Sequence, residues 1–357
     1  MRAHEAKQTA IQWVKVNLET WPGLRAAHLV GSLAGTPDEA EFPSYKDVDI
    51  LLIFDDDAPM LVPKGPFADN IETEYQGLLI EAGLKPVSGY RSPEAVLANP
   101  EIAHHLLVNS TLYDPDGLLE ALHGLVKRDY ARRHWVQVRC DYEREGFLGI
   151  LGMAQGAERR MGPAAMANLT GYSLTYLVAM LCVVTLRPPT TGGRSWLRAR
   201  EILYSWGRPE LYGHWVSLYN LQSVTPEQAA ERIDEAAALF DLAVVVKRSP
   251  HPFGHKMHVH LRPYFIETSR ALLAEGFPAE ASLWAAAFFF AATDILQMDG
   301  PSEERPRWAE RQSAWLAELG LGTPAEREQV LDRLNELGEQ IFTLANTIIA
   351  SNPDITD

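Results

Sequence analysis

The stretch KDVDILLIF, residues 46–54, sets Asp47 and Asp49 on either side of one valine inside an otherwise apolar run. Residues two apart on a β-strand point to the same side, so both carboxylates aim at one place while Val48 and Ile50 face the other way. Like charges that close raise each other's proton affinity unless a cation sits between them. Magnesium is such a cation, a hard ion that takes carboxylate, water and phosphate oxygens. Upstream, LVGSLAGT carries Gly31 and Ser32 at the end of a short apolar run. Glycine leaves room for a phosphate chain, and the serine hydroxyl with adjacent N–H groups can donate to its oxygens. Together the two stretches point to metal-assisted chemistry on phosphate.

The elements that must position these residues follow from periodicity and punctuation. Residues 5–19 read as a helix, and 26–30 as a strand ending at Gly31. A loop over 35–45, rich in Pro, Asp and Glu, leads into a strand over 48–54 that stops in DDDAP. FADNIETEYQGLLIEA, 67–82, repeats apolar positions at helical spacing, which predicts a helix stopped by Gly83. LKPVSGY, 84–90, reads as a further strand. After YDPDG, 113–117, strand signals fade and helical periodicity dominates from 118 to 350, with the apolar run 243–246 left unassigned. The expected class is α+β: a small mixed-sheet domain over 1–117, then a helical bundle domain over 118–357.

Bulk properties bound the function. A chain of 357 residues, 46% of them hydrophobic, can bury the cores of two domains. A formal net charge of −15 disfavours a nonspecific grip on a nucleic-acid backbone, which needs clustered Lys and Arg. Cys140 and Cys182 lie far apart and form neither a disulfide framework nor a metal-type cluster. The N-terminus is charged and lacks the apolar stretch of a signal peptide. SLWAAAFFFAATDIL, 282–296, is too short before Asp294 to span a bilayer. A cytoplasmic protein without a membrane or nucleic-acid partner is expected.

LVGSLAGT followed by KDVDILLIF resembles the signature of the nucleotidyltransferase superfamily: hydrophobic-Gly-Ser, a spacer, then Asp-hydrophobic-Asp-hydrophobic. The arrangement of an α/β domain before a helical one is similar to that of the antibiotic nucleotidyltransferases. The resemblance implies that Gly31 and Ser32 bind a nucleoside triphosphate, ATP first among them, and that Asp47 and Asp49 hold magnesium. The implied reaction passes a nucleoside monophosphate to a hydroxyl of a small-molecule acceptor and releases pyrophosphate. In the helical part, NLTGYSLTYLVAMLCVVTLRPPTTGGRSWLRAREIL, 168–203, is also similar to such enzymes. There Arg194, with Arg187, Trp196 and Arg198, is a candidate for phosphate or base contact, set against core and surface roles for the same residues.

The resemblance also implies a further carboxylate from a later strand, and here the sequence departs from the pattern. LKPVSGY offers Ser88, Gly89 and Tyr90 where an acid is expected. Glu94 is the nearest acid and the first candidate for the third carboxylate. Asp69, Glu72 and Glu74 on the expected helix 67–82, and Asp141, Glu143 and Glu145 further on, are alternatives. The gap leaves open another base, fewer protein ligands, or a noncatalytic nucleotide sensor. HPFGHKMHVHLRP contains His251, His255, His258 and His260, conceivable zinc ligands but more simply a loop. His104 and His105 cannot share a face and read as structural. The basic segment 127–139 reads as a solvated helical face.

Overall fold

The structure, a computed structural model, describes residues 1–62, 70–108, 110–189, 192–251 and 254–357, without the side chains of 157–161 and 255. Two compact units emerge: Met1–Tyr142 with Pro353–Asp357, and Glu143–Asn352. The sheet-bearing unit thus runs on past residue 117, where the sequence reading divided the chain.

The first unit opens with helix α1 (Ala3–Asn17), strand β1 (Leu24–Leu29), the single-turn helix α2 (Gly31–Ala34) and strand β2 (Val48–Phe54). Strands β3 (Asn70–Tyr75) and β4 (Leu78–Pro86) follow, then helices α3 (Pro93–Ala98) and α4 (Pro100–Leu107), strand β5 (Thr111–Tyr113) and helix α5 (Leu118–Asp129). The five strands form one mixed sheet in the order β3-β4-β2-β1-β5, with β2 and β4 parallel and every other pair antiparallel.

Alternation gives this sheet two unlike faces. Val48, Ile50, Leu52 and Phe54 of β2, with Leu78, Ile80 and Ala82 of β4, enter a core closed by Ala3, Ala6, Ala10, Trp13 and Val14 of α1. Asp49, Leu51 and Ile53 therefore point to the opposite face, as do Glu81 and Gly83.

The expected helix over 67–82 is instead a hairpin, apart from residues 67–69, which lie outside the described residues. Tyr75 pairs with Leu78 across Gln76 and Gly77, whose φ values of 50° and 78° are both positive, as a type I′ turn requires. The expected strand over 84–90 is only the tail of β4, after which Val87–Tyr90 form a 3₁₀ turn.

The loop between α2 and β2 is anchored by the start of α1, whose first N–H groups need acceptors. Ala3 N–H donates to the Ala40 carbonyl at 2.9 Å and His4 N–H to that of Asp38 at 3.1 Å. Lys7 Nζ donates to the Thr36 carbonyl and to Asp38 Oδ1, each at 2.8 Å.

Helix α6 (Arg133–Met161) carries the chain into the second unit, whose regular elements among the described residues are all helices. It comprises α7 (Pro163–Val184), α8 (Ser195–Ser205), α9 (Pro209–Ser217), α10 (Pro226–Val246), α11 (Arg262–Ala274), α12 (Pro278–Asp299), α13 (Arg305–Glu318) and α14 (Pro324–Ser351). Thr225 with Gln228 and Thr323 with Glu326 form capping boxes that start α10 and α14. Helices α10, α11 and α13 surround α12, whose Phe289 stacks on Trp315 at 3.9 Å. Helices α7 and α12 are long and apolar enough to cross a membrane by length and composition, and most of each is buried inside the unit. An α+β chain with a small mixed sheet followed by a helical bundle is the class the sequence predicts.

Candidate metal centre

At the end of β1, Val30 N–H donates to the Asp49 carbonyl at 2.9 Å, which sets the following residue beside the Asp49 side chain. That residue is Gly31, with φ of +62°. A Cβ there would fall 2.9 Å from Asp49 Cγ and closer still to Oδ2. Glycine is required twice over, for the left-handed backbone and for the space Asp49 occupies. Gly31 and Ser32 are exposed at the start of α2.

Asp49 lies in register with Glu81 of the parallel strand β4. Asp47, Asp49 and Glu81, all half-buried, each bring one carboxylate oxygen within 4.8 Å of the others. Two unit charges at that separation repel by roughly 3 kcal/mol at an effective dielectric near 20. Three such oxygens form a hard, anionic donor set, and a divalent cation relieves their repulsion; the residues fit magnesium or manganese. On β3, Glu72 stands directly opposite Glu81, adding a further acid on this face. Asn70 Nδ2 donates to Glu81 Oε1 at 2.8 Å.

Glu81 is the member of the trio that the sequence reading does not single out. Its segment also fits strand alternation, with Ile71, Thr73 and Tyr75 before the turn and Leu78, Ile80 and Ala82 after it. That pattern was the available signal.

Glu94 is not a member of the trio. It lies exposed in the first turn of α3, where Ser92 Oγ donates to it at 2.7 Å and holds its carboxyl below the usual range. An acid in the first turn of a helix is favoured there for local reasons, by the orphan N–H groups and the helix dipole. Glu74 is exposed near the hairpin turn, and Asp69 lies outside the described residues. Asp141, which accepts from Gln137, and Glu143 and Glu145 sit on α6 and are not members of the trio.

In the second unit, Arg194 forms a forked pair with Glu275. Trp196 is buried against Trp215 and Tyr219, and Arg198 meets Glu201 at 2.9 Å. His251 lies 3.7 Å from Asp294, and the rings of His258 and His260 meet edge to face at the 3₁₀ turn Val259–Leu261. The side chain of His255 lies outside the described residues. Among the described residues, these histidines form no metal-type group of three.

A separate buried cluster lies in the first unit. His28 of β1 is 2% exposed, and neither ring nitrogen has a hydrogen-bond partner. With His105, His123 and Ser110 it lines a small cavity, and His105 is flanked by His104, whose Nδ1 faces the Tyr130 hydroxyl at 3.4 Å. Burial lowers the imidazole of His28 to about 3 and those of His104 and His105 to about 4.

No family model matches the chain, and no curated protein matches it. Among solved structures it is similar to a nucleotidyltransferase-like protein from Exiguobacterium sibiricum, at 12% identity over 88% of this chain and 89% of that one. The TM-score is 0.30, a likeness that carries no argument, so the chemistry rests on the residues themselves.

Proposed function

We propose that this chain is a nucleotidyltransferase that moves a nucleoside monophosphate from a nucleoside triphosphate to a hydroxyl of a small-molecule acceptor. The observation that carries the reading is the convergence of Asp47, Asp49 and Glu81 beside the Gly31 turn. A divalent cation bound there neutralises triphosphate charge and lowers the pKa of the attacking hydroxyl. Asp47, Asp49 and Glu81 hold that cation. Ser32 and the N–H groups of the Gly31 turn donate to phosphate oxygens. In the transfer, the acceptor oxygen bonds to the α-phosphorus, the bond to the bridging oxygen breaks, and pyrophosphate leaves with the electron pair. A carboxylate of the trio takes the hydroxyl proton.

The noncatalytic sensor was suggested by a missing third acid, and Glu81 removes that reason for preferring it. A net charge of −15 supports a cationic acceptor such as an aminoglycoside over a polyanion. ATP is the first nucleotide to try, and the cytoplasm the proposed compartment. The test incubates the protein with labelled ATP and magnesium, offering an aminoglycoside or a tRNA at matched concentration. Transfer to the small acceptor, lost in Asp49→Asn and Glu81→Gln, is expected. Tight ATP binding without turnover, or faster labelling of tRNA, would overturn the assignment.

A further inference from the structure

Asn70 opens β3, and its side chain leans across the ladder. Its register partner on β4 is Gly83, where a Cβ would sit 3.6 Å from Asn70 Oδ1, so the carboxamide covers space next to the glycine. From there Nδ2 reaches the next outward-facing residue of β4, donating to Glu81 Oε1 at 2.8 Å. Glu81 has the longest side chain of the acidic trio and therefore the most torsional freedom to lose on ordering. Glu72, directly opposite it, carries like charge and pushes it rather than holds it.

We propose that Asn70 is a positioning residue, which steadies Glu81 from the β3 side so that the third carboxylate stays turned toward Asp47 and Asp49. The inference rests on the reading of the trio as cation ligands. A neutral amide suits the task because it donates without adding charge, whereas an acid would compound the repulsion. Partners that orient ligating carboxylates in this way commonly set metal affinity without touching the metal.

The test titrates Mn²⁺ into the full chain, counting free ion by electron paramagnetic resonance, for wild type, Asn70→Ala, Asn70→Leu and Asp49→Asn. Leucine fills the same space without a donor. Both Asn70 variants are expected to weaken Mn²⁺ binding about 10-fold or more, at unchanged stoichiometry and unchanged metal-free melting temperature. Wild-type affinity in Asn70→Leu, with binding lost in Asp49→Asn, overturns the role of Asn70 and leaves the trio standing. Absence of Mn²⁺ binding by the wild type overturns both.

Discussion

Gly31 and Asp49 share one volume: the place where a Gly31 side chain would begin is taken by the Asp49 carboxylate. Gly31→Ala must therefore push Asp49 aside and also hold alanine at a φ of +62°. The left-handed backbone alone costs about 1–2 kcal/mol. Expected outcomes are a stability loss of at least that size in urea unfolding and a Mn²⁺ affinity weakened about 10-fold or more. Gly35→Ala, where φ is −93° and no atom lies within 4 Å of the added Cβ, is the control. Equal behaviour of the two variants would contradict the close approach.

Removing one charge from the trio tests whether its members repel. Asp49→Asn and Glu81→Gln are each expected to raise the metal-free melting temperature, by an amount corresponding to about 1–3 kcal/mol. The wild type is expected to gain stability from magnesium through binding to the folded state, and both variants to lose that gain. A melting curve for Glu81→Gln that responds to magnesium as the wild type does would show that Glu81 is no ligand.

The buried imidazoles set a pH dependence. His28, His104 and His105 are neutral in the folded state, with values pushed down to about 3, 4 and 4, and titrate near 6.5 when unfolded. The unfolded chain then binds more protons, so their contribution is fully present above pH 6.5 and is lost as pH falls from there toward 4. Each contributes at most about 1.4 kcal/mol of loss per pH unit in that window. Lys85 and Arg139, both positive, disfavour charging further. His28→Phe is expected to shrink the drop in urea midpoint between pH 7.5 and pH 5. An unchanged drop would mean that His28 takes up its proton equally in the folded and unfolded states, so that burial does not hold it neutral.

The hairpin turn offers a stabilising substitution. Gln76 holds a φ of 50°, a conformation that asparagine tolerates better than glutamine, and Gly77 follows at 78°. Gln76→Asn is expected to raise stability, and Gly77→Val to cost about 1–2 kcal/mol or more. Chemical denaturation measures both, and destabilisation by Gln76→Asn would argue against the turn.

Strand 48–54 was legible residue for residue because its apolar run is broken only by Asp49 near one end. The hairpin was not. Ile71, Tyr75, Leu78, Leu79 and Ala82 fall at helical spacing while the same stretch alternates, and Gln-Gly is a weak turn signal beside Asn-Gly. Misreading that period hid Glu81, since its place beside Asp49 follows from the parallel register of β4 on β2. The run 243–246 shows the opposite override: β-branched residues end helix α10, where Ala243 is packed against its neighbours. His28 looked like any residue of a short strand, because its imidazole neighbours come from α4 and α5, distant in sequence.

The ladder between β2 and β4 also acts as a proofreading device. Sliding β4 by one residue would carry Glu81 into the apolar layer and turn Ile80 and Ala82 to the face that carries Asp49. A chain joined in that wrong way would break up the acidic trio of Asp47, Asp49 and Glu81.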